Sequence, residues 1–103
     1  MIARIWRGVT RKQDLDTYFE YLRETGLKDY ASIPGNRGVW VLRRVQGETA
    51  EFTLISLWDS YDAIRAFAGE DYEKAVYYPE DRKFLLDLPP GVEHHEVLEC
   101  PAC

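Results

Sequence analysis

The chain opens on an alternation of side-chain character. Residues 2–10 place Ile2, Arg4 and Trp6 on one parity and Ala3, Ile5, Arg7 and Val9 on the other. That pattern predicts a strand buried at least partly on both faces. Helix-start residues fill 10–14, and Leu15, Tyr18, Phe19 and Leu22 then recur at i, i+3, i+4 and i+7. They make the apolar face of a helix whose wet side carries Asp16, Glu20, Arg23 and Glu24. Gly26 is placed to cap its C-terminus. Residues 33–38, dense in turn formers, predict a loop. Residues 39–45 and 51–58 are β-rich and separated by a short turn containing Gly47, the signature of an antiparallel hairpin. Ser60 is a good N-cap for a second helix with Tyr61, Ile64, Phe67 and Ala68 at helical spacing, broken by Gly69. Residues 71–78 predict another short helix, stopped by Pro79. Residues 81–88, carrying Phe84, Leu85, Leu86 and Leu88, predict a further helical stretch ending at Pro89-Pro90-Gly91. Residues 92–98 make a last strand.

The order is β-α-β-β-α-β, the split βαβ pattern of ferredoxin-like α+β domains. Helices then cover one face of a four-stranded antiparallel sheet. Both parities of the strands carry apolar residues, so the other face needs a second molecule, and a homodimer is expected. Residues 1–98 form one domain in this reading, with 99–103 as a short tail.

Composition sharpens the picture. In 103 residues there are three Trp, seven Tyr and four Phe, more rings than one small core can hide. Some should line a pocket or an interface. The formal charge is −5, which argues against nucleic acid as a partner. No stretch approaches the length of a membrane span. The first seven residues interleave charges with apolar side chains and lack a signal-peptide core, so cytoplasmic residence is expected. Cys100 and Cys103 have C-x-x-C spacing but no helix after them, and one such pair is only half a zinc site. They read as an incidental tail pair.

Three segments carry a family likeness: the opening strand with Trp6-Arg7, the run Pro34-Gly35-Asn36-Arg37-Gly38 leading into a strand, and Leu57-Trp58-Asp59-Ser60 opening the second helix. The last continues through Ala63 to Gly69 and on to Ala75-Val76-Tyr77-Tyr78-Pro79. Together they resemble the antibiotic biosynthesis monooxygenase superfamily of dimeric α/β barrels. The likeness implies two sheets packed across a dimer axis and a pocket between each sheet and its helices. It also implies a choice of chemistries, from cofactor-free oxygenation of phenols and quinol-like compounds to haem degradation. In the oxygenases the ionised substrate reacts with O₂ directly, so no cofactor is expected. The haem-degrading pattern does not transfer. Its Asn falls on or beside Trp6, its Trp on Phe67 and its His on Tyr77, leaving no axial iron ligand at that place.

His94 and His95 are adjacent on the last strand and point to opposite faces. His94 is a candidate general base, against the plainer reading that both are ordinary strand residues near a dimer contact. Two adjacent histidines on a flat strand cannot share one metal, and no metal is expected. Tyr77 and Tyr78 end a predicted helix, where a hydroxyl can orient a phenolic substrate at a pocket mouth. Tyr77 joins His94 as a candidate catalytic residue. Trp6, Trp58, Phe67 and Tyr78 are candidate substrate-binding residues, although Phe67 and Trp58 equally suit the core. Arg7, Arg43 and Arg44 are the basic residues expected to reach a sheet face, pairing either a substrate anion or acidic residues of the partner. Three functions follow: a cofactor-independent monooxygenase of a small or polycyclic aromatic; a non-catalytic barrel that binds a hydrophobic ligand or only dimerises; or an isomerase-type enzyme with His94 as proton shuttle.

Overall fold

A computed structural model describes residues 1–101. The strands are β1 (Ile2–Arg11), β2 (Asn36–Gln46), β3 (Thr49–Trp58) and β4 (Glu93–Glu96), and the helices α1 (Leu15–Glu24), α2 (Gly26–Ser32), α3 (Tyr61–Ala68) and α4 (Asp81–Phe84). All strand pairs are antiparallel in the order β2-β3-β1-β4, the ferredoxin-like α+β arrangement the pattern predicts.

The two parities of the central strands have different fates. On β3, Ala50, Phe52, Leu54, Ser56 and Trp58 are buried beneath the helices, while the residues between them face the other way and are partly open. Register carries this division across the sheet, because Arg4 lies opposite Ser56 and Trp6 opposite Leu54. Arg4, Trp6, Gly8 and Thr10 therefore share the helix-covered face. Gly8 is there because the Trp6 ring lies across it; a Cβ would overlap the indole. Ser60 caps α3 as expected, its Oγ accepting the Ala63 N–H at 3.2 Å. Arg37 grips Asp59 through Nε and Nη2 at 2.6 and 3.0 Å, tying the start of β2 to the end of β3.

Four segments depart from expectation, each for a visible reason. Gly26 does not end the first helical region. The chain bends at Thr25, whose N–H closes α1 on Tyr21 and Leu22 while its carbonyl starts α2 by accepting from Asp29. That second helix delivers Tyr30 into the core. Residues 71–78 are not helical, because their backbone groups are used elsewhere. Arg4 takes the carbonyls of Tyr72 and Lys74, the Glu73 carbonyl accepts from Val92 and the Ala75 N–H donates to Pro90. Helix α4 stops at Phe84 rather than running to 88, since Leu86 donates to the Val9 carbonyl and Leu85 bridges Thr10. The last strand keeps only Glu93–Glu96 of 92–98, the Val92 N–H donating instead to the Glu73 carbonyl of the preceding span.

The uncovered face is partly apolar. Trp40 and Leu42 are 51% and 50% exposed, beside the half-buried Ile55 and Leu57. Arg7, Arg43 and Arg44 each find a carboxylate in their own chain, on Glu93, Asp16 and Glu51 respectively. A fourth arginine, absent from that expectation, is the one that matters: Arg4 is 2% exposed on the helix-covered face. No described helix is long and apolar enough to cross a membrane. The expected tail pair involves Cys103, which lies outside the described residues.

Candidate functional site

Between the sheet and its helices lies a small cavity of about 20 Å³, lined by residues that include Arg4, Trp6, Tyr30, Phe67, Tyr78 and Asp81. That volume suits about one water molecule. β1 supplies Arg4 and Trp6 from alternate positions, α2 supplies Tyr30 and α3 supplies Phe67. The fourth wall is the segment of residues 69–80, which crosses from α3 to α4 with no helix or strand of its own.

Arg4 is unusual. Its Nη2 donates to the Tyr72 and Lys74 carbonyls at 3.3 and 3.0 Å, and its guanidinium carbon lies 5.5 Å from the Phe67 ring centre. The buried Nε has no hydrogen-bond partner. Among the described residues no carboxylate comes within ion-pair distance of it. An unpaired buried charge costs several kcal/mol, on the order of the whole worth of a well-made ion pair. Burial pulls the Arg4 pKa down, opposed by the Tyr30 hydroxyl, yet a guanidinium stays charged in proteins.

Asp81, also buried, faces the same cavity. Its carboxylate accepts from the Tyr18 hydroxyl at 3.1 Å and the Tyr78 N–H at 2.6 Å. Burial raises its pKa, and those two donors oppose the rise. The tyrosines around it are held protonated. Burial lifts the pKa of Tyr18, Tyr77 and Tyr78, with Asp81 adding to the rise in each and Asp29 adding to that of Tyr78. Among the acidic groups of this wall, the carboxylate is therefore the one able to accept a proton.

The candidate residues named from sequence separate on this map. Trp6, Phe67 and Tyr78 line the cavity. Trp58 is 0% exposed and sits behind it, its Nε1 donating to Ser56 Oγ at 2.9 Å and its ring against Tyr30 and Phe67. Tyr77 stands edge-on to Trp6. Its hydroxyl accepts from Trp6 Nε1 at 3.3 Å and donates to the Pro89 carbonyl. His94 lies opposite Arg4 on β4 but packs against Tyr61 and Tyr72, outside the cavity lining. The two candidate catalytic residues are thus not brought together around it.

Arg4 and Asp81 escaped the sequence reading. Arg4 had a signal, a charge on the same strand parity as Trp6. Asp81 had none that distinguishes it from surface carboxylates. A larger cleft of about 610 Å³ opens beside Met1, Arg37, Trp40, Leu57 and Pro101. Its charged pair, Arg37 and Asp59, satisfies itself, and the cleft borders the uncovered sheet face. The interior cavity is the better site because its polar groups converge and one is unsatisfied.

His94 carries a pH signature. Burial lowers its pKa, helped by the positive charge of Arg4 and by His95 and opposed by Glu73. The unfolded chain then takes the proton first, so stability is lost as pH falls from the free-histidine value near ~6.5 through the lowered folded value. Thermal melts between about pH 7.5 and pH 5 should show this decline, and His94→Gln should flatten it. An unchanged slope in the variant would remove His94 from the account.

No family model matches the sequence. Among curated proteins, pyruvate decarboxylases of Kluyveromyces marxianus and Kluyveromyces lactis match 48 residues, at 38% and 35% identity. Those 48 residues are 47% of this chain and 8% of each yeast enzyme's length. Solved structures match along the whole chain. The haem degrader MhuD of Mycobacterium tuberculosis, with two haems in its active site, superposes with a TM-score of 0.60 at 18% identity, covering 99% of this chain and 100% of MhuD. A Bacillus cereus protein provisionally assigned as an antibiotic biosynthesis monooxygenase gives 0.61 at 16% identity, covering 99% and 97%. With the strand order and helix placement above, these matches show that the chain shares the ferredoxin-like α+β fold of those two structures.

Proposed function

We propose that this chain is a cofactor-independent monooxygenase of a small or polycyclic phenol or quinol. It would act as a cytoplasmic homodimer in which residues 1–98 form the catalytic unit and 99–103 a tail. The observation that carries the reading is a ring-walled space beneath the helices with a buried carboxylate, Asp81, in its wall. Trp6, Phe67 and Tyr78 would hold a flat substrate. Asp81 would take a phenolic proton, a step worth about 10²–10⁴ in rate when well placed. The resulting phenolate is the electron donor. One ring C–H and the phenolic O–H are lost as the ring becomes a quinone with a new C=O bond, and the second oxygen atom leaves as water (phenol + O₂ → quinone + H₂O), so the substrate supplies all four electrons and no external reductant is needed. Exclusion of water from the space protects the reactive anion.

Haem does not fit these residues. The place of the haem-degrading histidine falls on Tyr77, whose hydroxyl is engaged by Trp6 and Pro89, and neither described histidine lines the cavity. The isomerase reading relied on His94, which stands outside the lining. The cavity's small volume favours one second reading, a barrel that dimerises without catalysis. A thermal-shift screen with hydroxyanthrones, quinols and flavonoids, followed by oxygen-electrode assays of each binder, separates the two. The oxygenase consumes one O₂ per carbonyl formed and slows at least about a hundredfold in Asp81→Asn. Binders without oxygen uptake refute it.

A further inference from the structure

Arg4 holds a cation inside the protein with half of its binding edge idle. A guanidinium grips a carboxylate best side-on, through Nε and the neighbouring Nη at once. Arg37 does so in this molecule, using Nε and Nη2 on the two oxygens of Asp59. On Arg4 the same edge has Nη2 donating to two backbone carbonyls and Nε donating to nothing. Both carbonyls belong to Tyr72 and Lys74, in the segment that closes the cavity.

We propose that Arg4 is an anion-binding residue for the space beneath the helices, which takes a flat aromatic ligand carrying one carboxylate or phenolate. The inference rests on the reading of that space as the ligand site and gives its substrate a charge. The anionic oxygens occupy Nε and displace the two carbonyls from Nη2. Entry of the ligand moves the wall of residues 69–80 off Arg4, the anion replacing the two carbonyl bonds broken there, while the ties of the segment to Val92, Pro90, Trp6 and Tyr21 hold it in place around the widened space. Phe67, already against the guanidinium, and Trp6 stack on the ring.

The test is titration calorimetry of the full chain with 2-naphthoate, 4-nitrophenolate and the uncharged 2-naphthamide. At least one anion should bind at least about tenfold more tightly than the amide, as expected for charge-assisted bonds in a dry site. Preference for naphthoate over nitrophenolate identifies a carboxylate ligand, and the reverse a phenolate. Arg4→Gln should erase the anion's advantage, and Arg4→Lys, which keeps the charge without the Nε edge, should restore part of it. The comparison of acid with amide uses the unaltered chain and stands whatever the variants do to folding. Equal affinity for anions and amide, no saturable anion binding, or an Arg4→Gln chain that binds naphthoate as tightly as the original overturns the proposal. Anion binding through Arg4 without oxygen uptake leaves the anion site standing and sinks the oxygenase. Oxygen uptake confined to uncharged quinols does the opposite.

Discussion

Replacing Trp58 by alanine is expected to lower the unfolding free energy by about 3–5 kcal/mol, a large share of the 5–15 kcal/mol that holds a typical domain together. Trp58 is fully buried at the end of β3. Its ring meets Tyr30 edge-on at 5.8 Å and tilts against Phe67 at the same separation, so one deletion strips contacts from α2, α3 and the sheet together. Its N–H is also the donor to Ser56 Oγ, a hydroxyl that itself donates to the Arg4 carbonyl across the strand pair. Trp58→Phe keeps most of the ring and forfeits chiefly that hydrogen bond, a loss of roughly 1 kcal/mol beyond its smaller packing cost. Urea titrations followed by circular dichroism measure both. A shift in midpoint at constant slope reports stability alone, and a loss below about 1 kcal/mol in Trp58→Ala would show that neighbouring rings refill the space.

The double substitution Trp40→Asp and Leu42→Asp is expected to convert the proposed homodimer to monomer while leaving the monomer's fold intact. Both side chains stand half exposed on the sheet face that lacks helices. Covering two large apolar side chains contributes about 1.5–3 kcal/mol each, and a carboxylate forced into the same interface adds a desolvation cost. A loss near 4 kcal/mol raises a dimer dissociation constant about a thousandfold. Light scattering during size-exclusion chromatography reads the change directly. A wild-type chain that elutes as a monomer at high concentration would sink the dimer, and a double variant that stays dimeric would place the interface elsewhere.

Those two faces mark how far the sequence could be read. Alternation along β1 and β3 was plain because each parity meets a different environment, and the topology followed from it. Local patterns fail chiefly where backbone partners are remote or where a core side chain dictates the local turn. Residues 71–78 have helical composition, but Arg4, Pro90 and Val92 engage their carbonyls and amides, and no local pattern announces a partner some 70 positions away. Gly26 looks like a helix end from its neighbours alone, whereas Tyr30, needed against Trp58, restarts the helix. At the site, the rings Trp6, Phe67 and Tyr78 stood out by type. Arg4 and Asp81 did not, since an arginine on a strand and an aspartate after Pro79 are ordinary surface residues until burial is known.

The irregular span of residues 69–80 also separates two kinds of stability. It is tied down by scattered single hydrogen bonds, to Arg4, Trp6, Tyr21 and Asp29 and to residues 89–92, whereas β1 and β3 pair over ten consecutive residues. Amide protons of the span are expected to exchange with solvent through local opening, and those of the central ladder chiefly through global unfolding. Changes in its length or sequence can therefore reshape the cavity with little draw on the sheet's stability, so this fold can change what it binds faster than it changes how it folds.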